Sequence, residues 1–389
     1  MKIKHPIIIA LFVNFTIPLG GVSTDIYLPS LPSMAHYFDV SKMMVQLTVT
    51  LFALGLGIGQ AVAGPISDAL GRKRPFLFGL LLQIIAVIFI LTTHSVNALI
   101  IARLFQGFGS AFMMVPARAI LNDTFEGDAL KKQYTYITAA FALGPIIAPF
   151  IGGYLEHYFN WQANFIFVLI YLIVLLIFMV LFIDESIEQK KPFSLMHITS
   201  SYMTVLENKL FLTGGILVSF FLGYVAIFNV VGPFIIQEVL DKSAIFYGYM
   251  ALVMGAAWFS GNMTSRIFFK YSRYAKTNIM LIIMLIAAIA MLILSYGELN
   301  IFKLIVPVFV MIFCGGFLFP IYVGECLSIF RAQAASANGL LFALIWIVFS
   351  LFSLIGTWLK VHSLLPLALC YFIVTIIVYL WFVFVAKRH

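Results

Sequence analysis

Two residues of this chain sit where ionisable groups are expensive: Asp25 and Arg103 each lie in a run that is otherwise apolar for about twenty residues. A charge at hydrocarbon depth costs about 2.5 kcal/mol or more, so it persists beside a partner, a water-filled cavity or a translocated proton. Apolar walls and a nearby cation act on a carboxyl group in opposite senses, and such an acid can exchange a proton as its access to water alternates. Arg103 cannot deprotonate and would serve as a fixed positive charge. The chemistry these two residues suggest is proton transfer coupled to transport. Gln106, Gly107 and Ser110 share the helical face of Arg103, a polar and small stripe unsuited to lipid. A competing reading has Arg103 snorkelling to the interface, since it lies about five residues from the expected helix start. Asn14, eleven residues before Asp25 and three turns away on an unbroken helix, is expected on the same cavity wall.

The elements that must position these groups follow from composition. The 389 residues are 63% hydrophobic and 10% charged, with a mean hydropathy of +1.09. That is too apolar for a soluble globule of this length, and the chain reads as an all-α polytopic membrane protein. The apolar runs predict twelve transmembrane helices at roughly 7–27, 43–66, 76–93, 98–120, 134–158, 163–183, 210–236, 244–268, 277–296, 302–324, 335–359 and 364–386. They divide into a six-helix half at 1–183, a polar linker at 184–209 and a second six-helix half at 210–389. Sites for substrate and coupling ion are then expected near the midplane between the halves. Of the 23 basic residues, only Lys42, Lys242, Lys303 and Lys360 fall in the loops of one side, and Arg103 falls within a span. The others collect on the opposite side, which predicts N-in and C-in orientation. The net charge of +8 therefore reflects topology, and nucleic-acid binding is not supported. Lys2 and Lys4 before an apolar run resemble a signal peptide, but no convincing small-residue cleavage site follows, so the run reads as a retained first helix. The linker acids and bases Asp184, Glu185, Glu188, Lys190 and Lys191 read as a solvated tether with room for a short interfacial helix.

Four motifs narrow the reading. Gly64-Pro65-Ile66-Ser67-Asp68-Ala69-Leu70-Gly71-Arg72-Lys73-Arg74 lies between the second and third spans as a two-glycine turn carrying one acid and three bases. It resembles the loop signature of the major facilitator superfamily, although Ala69 and Leu70 stand where that pattern has a basic residue. Read alone, it is a topology anchor. Ala102-Arg103-Leu104-Phe105-Gln106-Gly107 is similar to the fourth-helix motif of that superfamily, whose arginine is implicated in proton handling. Gly144-Pro145-Ile146-Ile147-Ala148-Pro149-Phe150-Ile151-Gly152-Gly153 resembles the fifth-helix antiporter motif of its exporters, with Ala148 in place of a usual glycine. Prolines free backbone carbonyls there and glycines permit close helix approach, which suits gating as well as plain packing. Ser23-Thr24-Asp25-Ile26-Tyr27-Leu28-Pro29-Ser30-Leu31-Pro32 resembles the Bcr/CflA drug-resistance transporters, drug:proton antiporters of twelve helices. The resemblance implies the major facilitator fold, with Asp25 as proton-binding acid and Arg103 as its modulator. It also implies a monomer in the bacterial cytoplasmic (inner) membrane that exports varied small molecules in exchange for protons.

Candidate substrate contacts are Asn14, Tyr27, Gln106, Tyr224 and Phe228, the last two from an aromatic stripe that also includes Phe221 and could equally serve packing. Candidate gating residues are Asp68, Arg72, Gly144, Pro145, Pro149, Gly152 and Gly153. Glu156 and His157 could form a second protonatable pair or lie at the interface. Cys314, Cys326 and Cys370 have no metal-ligand spacing, and no cofactor is expected. The chain has no His-Glu-x-x-His, Gly-x-Ser-x-Gly or P-loop pattern, which argues against an enzyme. The leading function is proton-coupled export of small amphipathic molecules. The alternative is a symporter importing a nutrient or siderophore on the same fold.

Overall fold

The computed structural model describes residues 6–187, 194–268, 270–330, 334–360 and 362–385, apart from the side chains at 138, 139, 141, 142, 195, 197, 334 and 335. Lys2, Lys4, Glu188, Lys190, Lys191, Arg331, Lys387 and Arg388 lie outside the described residues. Among the described residues the secondary structure is entirely helical.

Proline chops the first expected span into pieces. It runs as α1 (Pro6–Thr16), α2 (Pro18–Asp25), a short 3₁₀ turn (Leu28–Ser30) and α3 (Leu31–Tyr37). Pro18, Pro29 and Pro32 each fall in the first two positions of a new piece, where a missing N–H costs little. Together the pieces make one apolar stretch, Pro6–Tyr37, which runs on past Pro29.

The remaining helices are α4 (Lys42–Leu70), α5 (Lys73–Thr92), α6 (Val96–Thr124), α7 (Gly127–Tyr158), α8 (Trp161–Phe182), α9 (Leu195–Leu206), α10 (Lys209–Phe234), α11 (Ala244–Ile267), α12 (Arg273–Leu294), α13 (Ile301–Ile329), α14 (Ala334–Thr357) and α15 (Leu365–Phe384). A π-turn (Ile235–Val239) extends α10. Many starts are set by polar caps: Asn160, Asn208, Ser243, Ser272 and Asn300 each accept from the backbone N–H three residues on. Eleven helices among the described residues are long and apolar enough to cross a membrane. The fifth expected span corresponds to α7, a 32-residue helix whose side chains at four central positions are not described. Exposed isoleucines, including Ile85 and Ile88 on α5, Ile170 and Ile177 on α8 and Ile286 and Ile293 on α12, give these helices apolar outer faces suited to lipid.

Connections fall at two ends of the bundle. At one end of α4, Lys42 pairs with Glu238 of the π-turn; at its other end, Arg72 pairs with Asp123 at the close of α6 and its N–H meets Glu185 beyond α8, while Tyr202 OH of α9 donates to the Ala61 carbonyl on α4 at 2.5 Å.

Close packing depends on glycine faces. Gly55 of α4 abuts the Leu104 carbonyl of α6, while Gly107 of α6 abuts the Phe52 carbonyl of α4. A Cβ at either site would collide with backbone, so these small residues fix the α4–α6 approach. That contact sets the depth of Arg103, four residues before Gly107. Between α5 and α6, Gly79 and Gly109 face each other's carbonyls in the same way. The expected two-glycine turn is revised: α4 continues through Gly64 and Pro65 to Leu70, and the reversal falls to Gly71 at φ +98°, a conformation that favours glycine.

Candidate functional site

Asp25 ends α2, a position set by chain chemistry. Pro29 has no N–H to return to the Asp25 carbonyl, so the helix cannot continue in register. Arg103 meets this helix end from α6: its Nη1 donates to the Ser23 carbonyl at 3.0 Å and to Gln106 Oε1 at 2.5 Å. The carbonyl end of a helix carries partial negative charge, so a guanidinium there is favourable. Three rings complete the seat, with the guanidinium carbon 4.4 Å from the Tyr27 ring centre, 4.2 Å from Phe52 and 5.8 Å from Phe165. Arg103 is 0% exposed, so it does not snorkel. Among the described residues it makes no ion pair, and its charge acts on Asp25 through space.

Asp25 is buried, at 7% exposed. It is held from an element far away in sequence: Asn229 Nδ2 on α10 donates to Asp25 Oδ1 at 3.1 Å. Tyr247 on α11 lies within reach of the Asp25 charge, and its buried hydroxyl has no hydrogen-bond partner among the described residues. The same is true of Ser23 Oγ, Gln106 Nε2 and Ser110 Oγ, so the expected polar stripe is a cluster of buried groups able to bond water or a polar ligand. Tyr27 OH is engaged with Thr48 Oγ1 at 2.9 Å.

The structure thus gathers Asp25, Arg103, Tyr27 and Gln106 into one site. Phe228 adjoins it, stacked on Tyr247 at 6.3 Å. Tyr224 does not: its hydroxyl pairs with Thr375 at 2.8 Å and its carbonyl accepts from Tyr371, which places it in the packing between α10 and α15. Asn14 donates to the Ala10 carbonyl on its own helix at 2.8 Å. The three-turn register between Asn14 and Asp25 assumed an unbroken helix, and Pro18 interrupts it. An apolar groove on α7, lined by Phe150, Ile151, Tyr154, Leu155, Tyr158 and Phe159, contains none of the expected site residues.

Asn229 and Tyr247 were missed as site residues. Asn229 is a lone amide within an apolar span, a signal of the same kind that singled out Asp25. Tyr247 gave no signal beyond its tyrosine-glycine-tyrosine setting.

The expected gating residues occupy two seams. Along the fifth span, Gly144 faces the Pro18 carbonyl, Pro145 packs on Gly21 and Gly152 abuts the Ile26 carbonyl, all against α2 and its flanks. On its other side the same helix places Gly153 at the Ala244 carbonyl and the Pro149 carbonyl at Gly248 on α11. Replacing Gly152 by Ala would drive a Cβ into backbone next to Asp25. We expect a cost of about 1–3 kcal/mol, read as lower thermal stability in detergent together with slower transport.

At the Arg72 end, Arg72 pairs with Asp68 and, at 3.1 Å, with Asp123. Glu185 departs from the solvated-tether reading. It accepts from the backbone N–H groups of Arg72 at 2.7 Å and Lys73 at 3.2 Å, capping the start of α5 where basic residues and helix polarity both draw a carboxylate. Glu185→Gln is expected to cost about 1 kcal/mol of stability, measurable as a lowered melting temperature. His157 is exposed beside Tyr158 at the Lys42 end, which fits the interfacial reading. All three cysteines are buried and free.

Comparison with known proteins agrees with this architecture. Residues 13–357 match the family described as Major Facilitator Superfamily. Multidrug resistance protein D of Escherichia coli is 25% identical over 352 residues, covering 87% of this chain and 86% of that protein. The bicyclomycin resistance protein homolog of Haemophilus influenzae is 38% identical over 145 residues, a segment of 37% of this chain that spans only 36% of that relative. The crystal structure of a D-xylose-proton symporter superposes with a TM-score of 0.75 at 16% identity, covering 97% of both chains. A family match over most of the length, on a helical fold shared end to end with a solved transporter, leads to one conclusion: this chain belongs to the Major Facilitator Superfamily and is a multi-pass membrane transporter, not an enzyme.

Proposed function

We propose that the chain is a proton-coupled antiporter exporting small amphipathic molecules across the bacterial cytoplasmic membrane by alternating access. In this reading Asp25 takes a proton from outside and releases it inward, Arg103 modulates that exchange, and proton and substrate disfavour one another's binding. The topology is twelve spans in two six-helix halves, 1–183 and 210–389, joined by the linker 184–209, with both ends inside and the protein acting as a monomer. The Arg72 end then faces the cytoplasm. Basic residues concentrated there support this orientation. The two-half arrangement is supported by packing, since contacts between the halves centre on α4 with α14 and α7 with α11.

The observation that carries the proposal is the buried Asp25, bonded across the interface to Asn229 and within electrostatic reach of an arginine that makes no ion pair among the described residues. Similarity to proteins named for bicyclomycin and multidrug resistance supports drug efflux. A proton-motive force of about 150 mV supplies about 3.5 kcal/mol per proton, enough for gradients of a few hundredfold.

The test is reconstitution in liposomes with an imposed pH gradient, screening amphipathic compounds for substrate-induced proton movement. Antiport requires protons and compound to move in opposite directions, each dependent on the other. Movement in the same direction would instead identify the importing symporter.

A further inference from the structure

We infer that Asn229 is a latch that prevents the empty, ionised carrier from opening at the Lys42 end, so that protons cross only when substrate does. This rests on the reading of Asp25 as the proton-binding acid and adds a coupling residue to it.

Four contacts tie segment 229–238 to segment 25–46 in a ladder. Asn229 donates to Asp25 Oδ1 at 3.1 Å, Gln46 Nε2 to the Val230 carbonyl at 2.6 Å, and Gln237 Nε2 to the Pro29 carbonyl at 2.8 Å, while Glu238 pairs with Lys42. Gln46 and Gln237 both donate to backbone carbonyls, which do not titrate. The Lys42–Glu238 pair sits partly in solvent at the rim. Asn229 makes the one rung whose acceptor is both buried and titratable, and it is therefore the rung able to report whether a proton is bound. The other titratable groups facing Asp25 among the described residues are Arg103 from α6, whose charge acts on it, and the hydroxyls of Tyr247 from α11 and Tyr27 from its own segment, which feel its charge.

An ionised carboxylate accepts the Asn229 amide as a charge-assisted bond, roughly twice as strong as a neutral one. With Asp25 ionised and no substrate bound, the ladder is at its strongest and the Lys42 end stays shut. Protonation weakens the rung, and a substrate that competes for Asp25 replaces it. Either event frees the carrier to change its access. An ionised, empty carrier that opened would pick up an external proton and return it inward, a leak without cargo, and the latch blocks that step.

The experiment measures substrate-free proton leak in proteoliposomes under a pH gradient. Asn229→Ala is expected to raise the leak about tenfold, the scale of one lost hydrogen bond to a charge. Asn229→Leu, which keeps comparable bulk without the donor, should behave alike and serves if the alanine variant does not fold. The double variant Asp25→Asn with Asn229→Leu should be tight again, because the leak requires the acid. A leak that persisted in the double variant would mean a merely loosened structure and overturn the latch, as would an Asn229→Leu protein as tight as the parent. If Asp25→Asn alone still coupled protons to transport, the reading beneath it would fail instead.

Discussion

Asp25→Asn is expected to abolish proton-driven accumulation: the substrate gradient sustained by the parent, a few hundredfold at about 150 mV, should fall to unity. The amide is close in size to the acid and neutral, so packing around Ser23, Tyr27 and Asn229 is preserved and the folded yield should change little. The variant lacks the exchangeable proton. Downhill movement of substrate should persist and become independent of pH, since no group at the site then changes charge as access alternates. The measurement pairs transport against an imposed pH gradient with counterflow at equal pH on the two sides. Undiminished accumulation would remove Asp25 from the mechanism.

Arg103→Lys should lower coupled transport about tenfold or more although it conserves the charge. The guanidinium donates in two directions from one nitrogen and has its central carbon over the rings of Tyr27, Phe52 and Phe165. Lysine carries a compact, strongly hydrated charge with no planar face. The stacking interactions, worth about 0.5–2 kcal/mol each when desolvated, would largely be lost. Arg103→Ala should be worse, costing about 2–5 kcal/mol through the cavity it leaves at the crossing of α4 and α6. Melting curves in detergent separate the two effects: the lysine variant should lose activity with modest destabilisation, the alanine variant both together. Full activity in the lysine variant would mean that charge alone suffices.

Much of the architecture was legible in the chain because membrane burial simplifies the code. Hydrocarbon leaves a backbone few ways to satisfy its polar groups, so apolar runs of sufficient length locate the helices, though not always their ends. Rarity did the same for the chemistry: Asp25 and Arg103 stood out because charges are costly at that depth, and the structure buries both. Glycine and proline clusters on the fifth span likewise announced close approach, and that helix is the one wedged between α2 and α11.

What remained hidden depended on angular phase and on contacts between distant segments. Pro18 breaks the first span and removes the register that would have joined Asn14 to Asp25. Tyr224 shares a helical stripe with Phe228, yet a hydrogen bond to Thr375 on α15 draws it into packing. Glu185 resembled solvated linker until the N-terminus of α5 was found beside it. Asn229 became part of the site only when α10 was laid against α2. Local sequence therefore determined which segments are long and apolar enough to span a membrane and which residues are too polar to rest there. Tertiary structure decided which of those residues meet, because a partner more than two hundred positions away is chosen by helix packing, and neither hydropathy nor spacing encodes it.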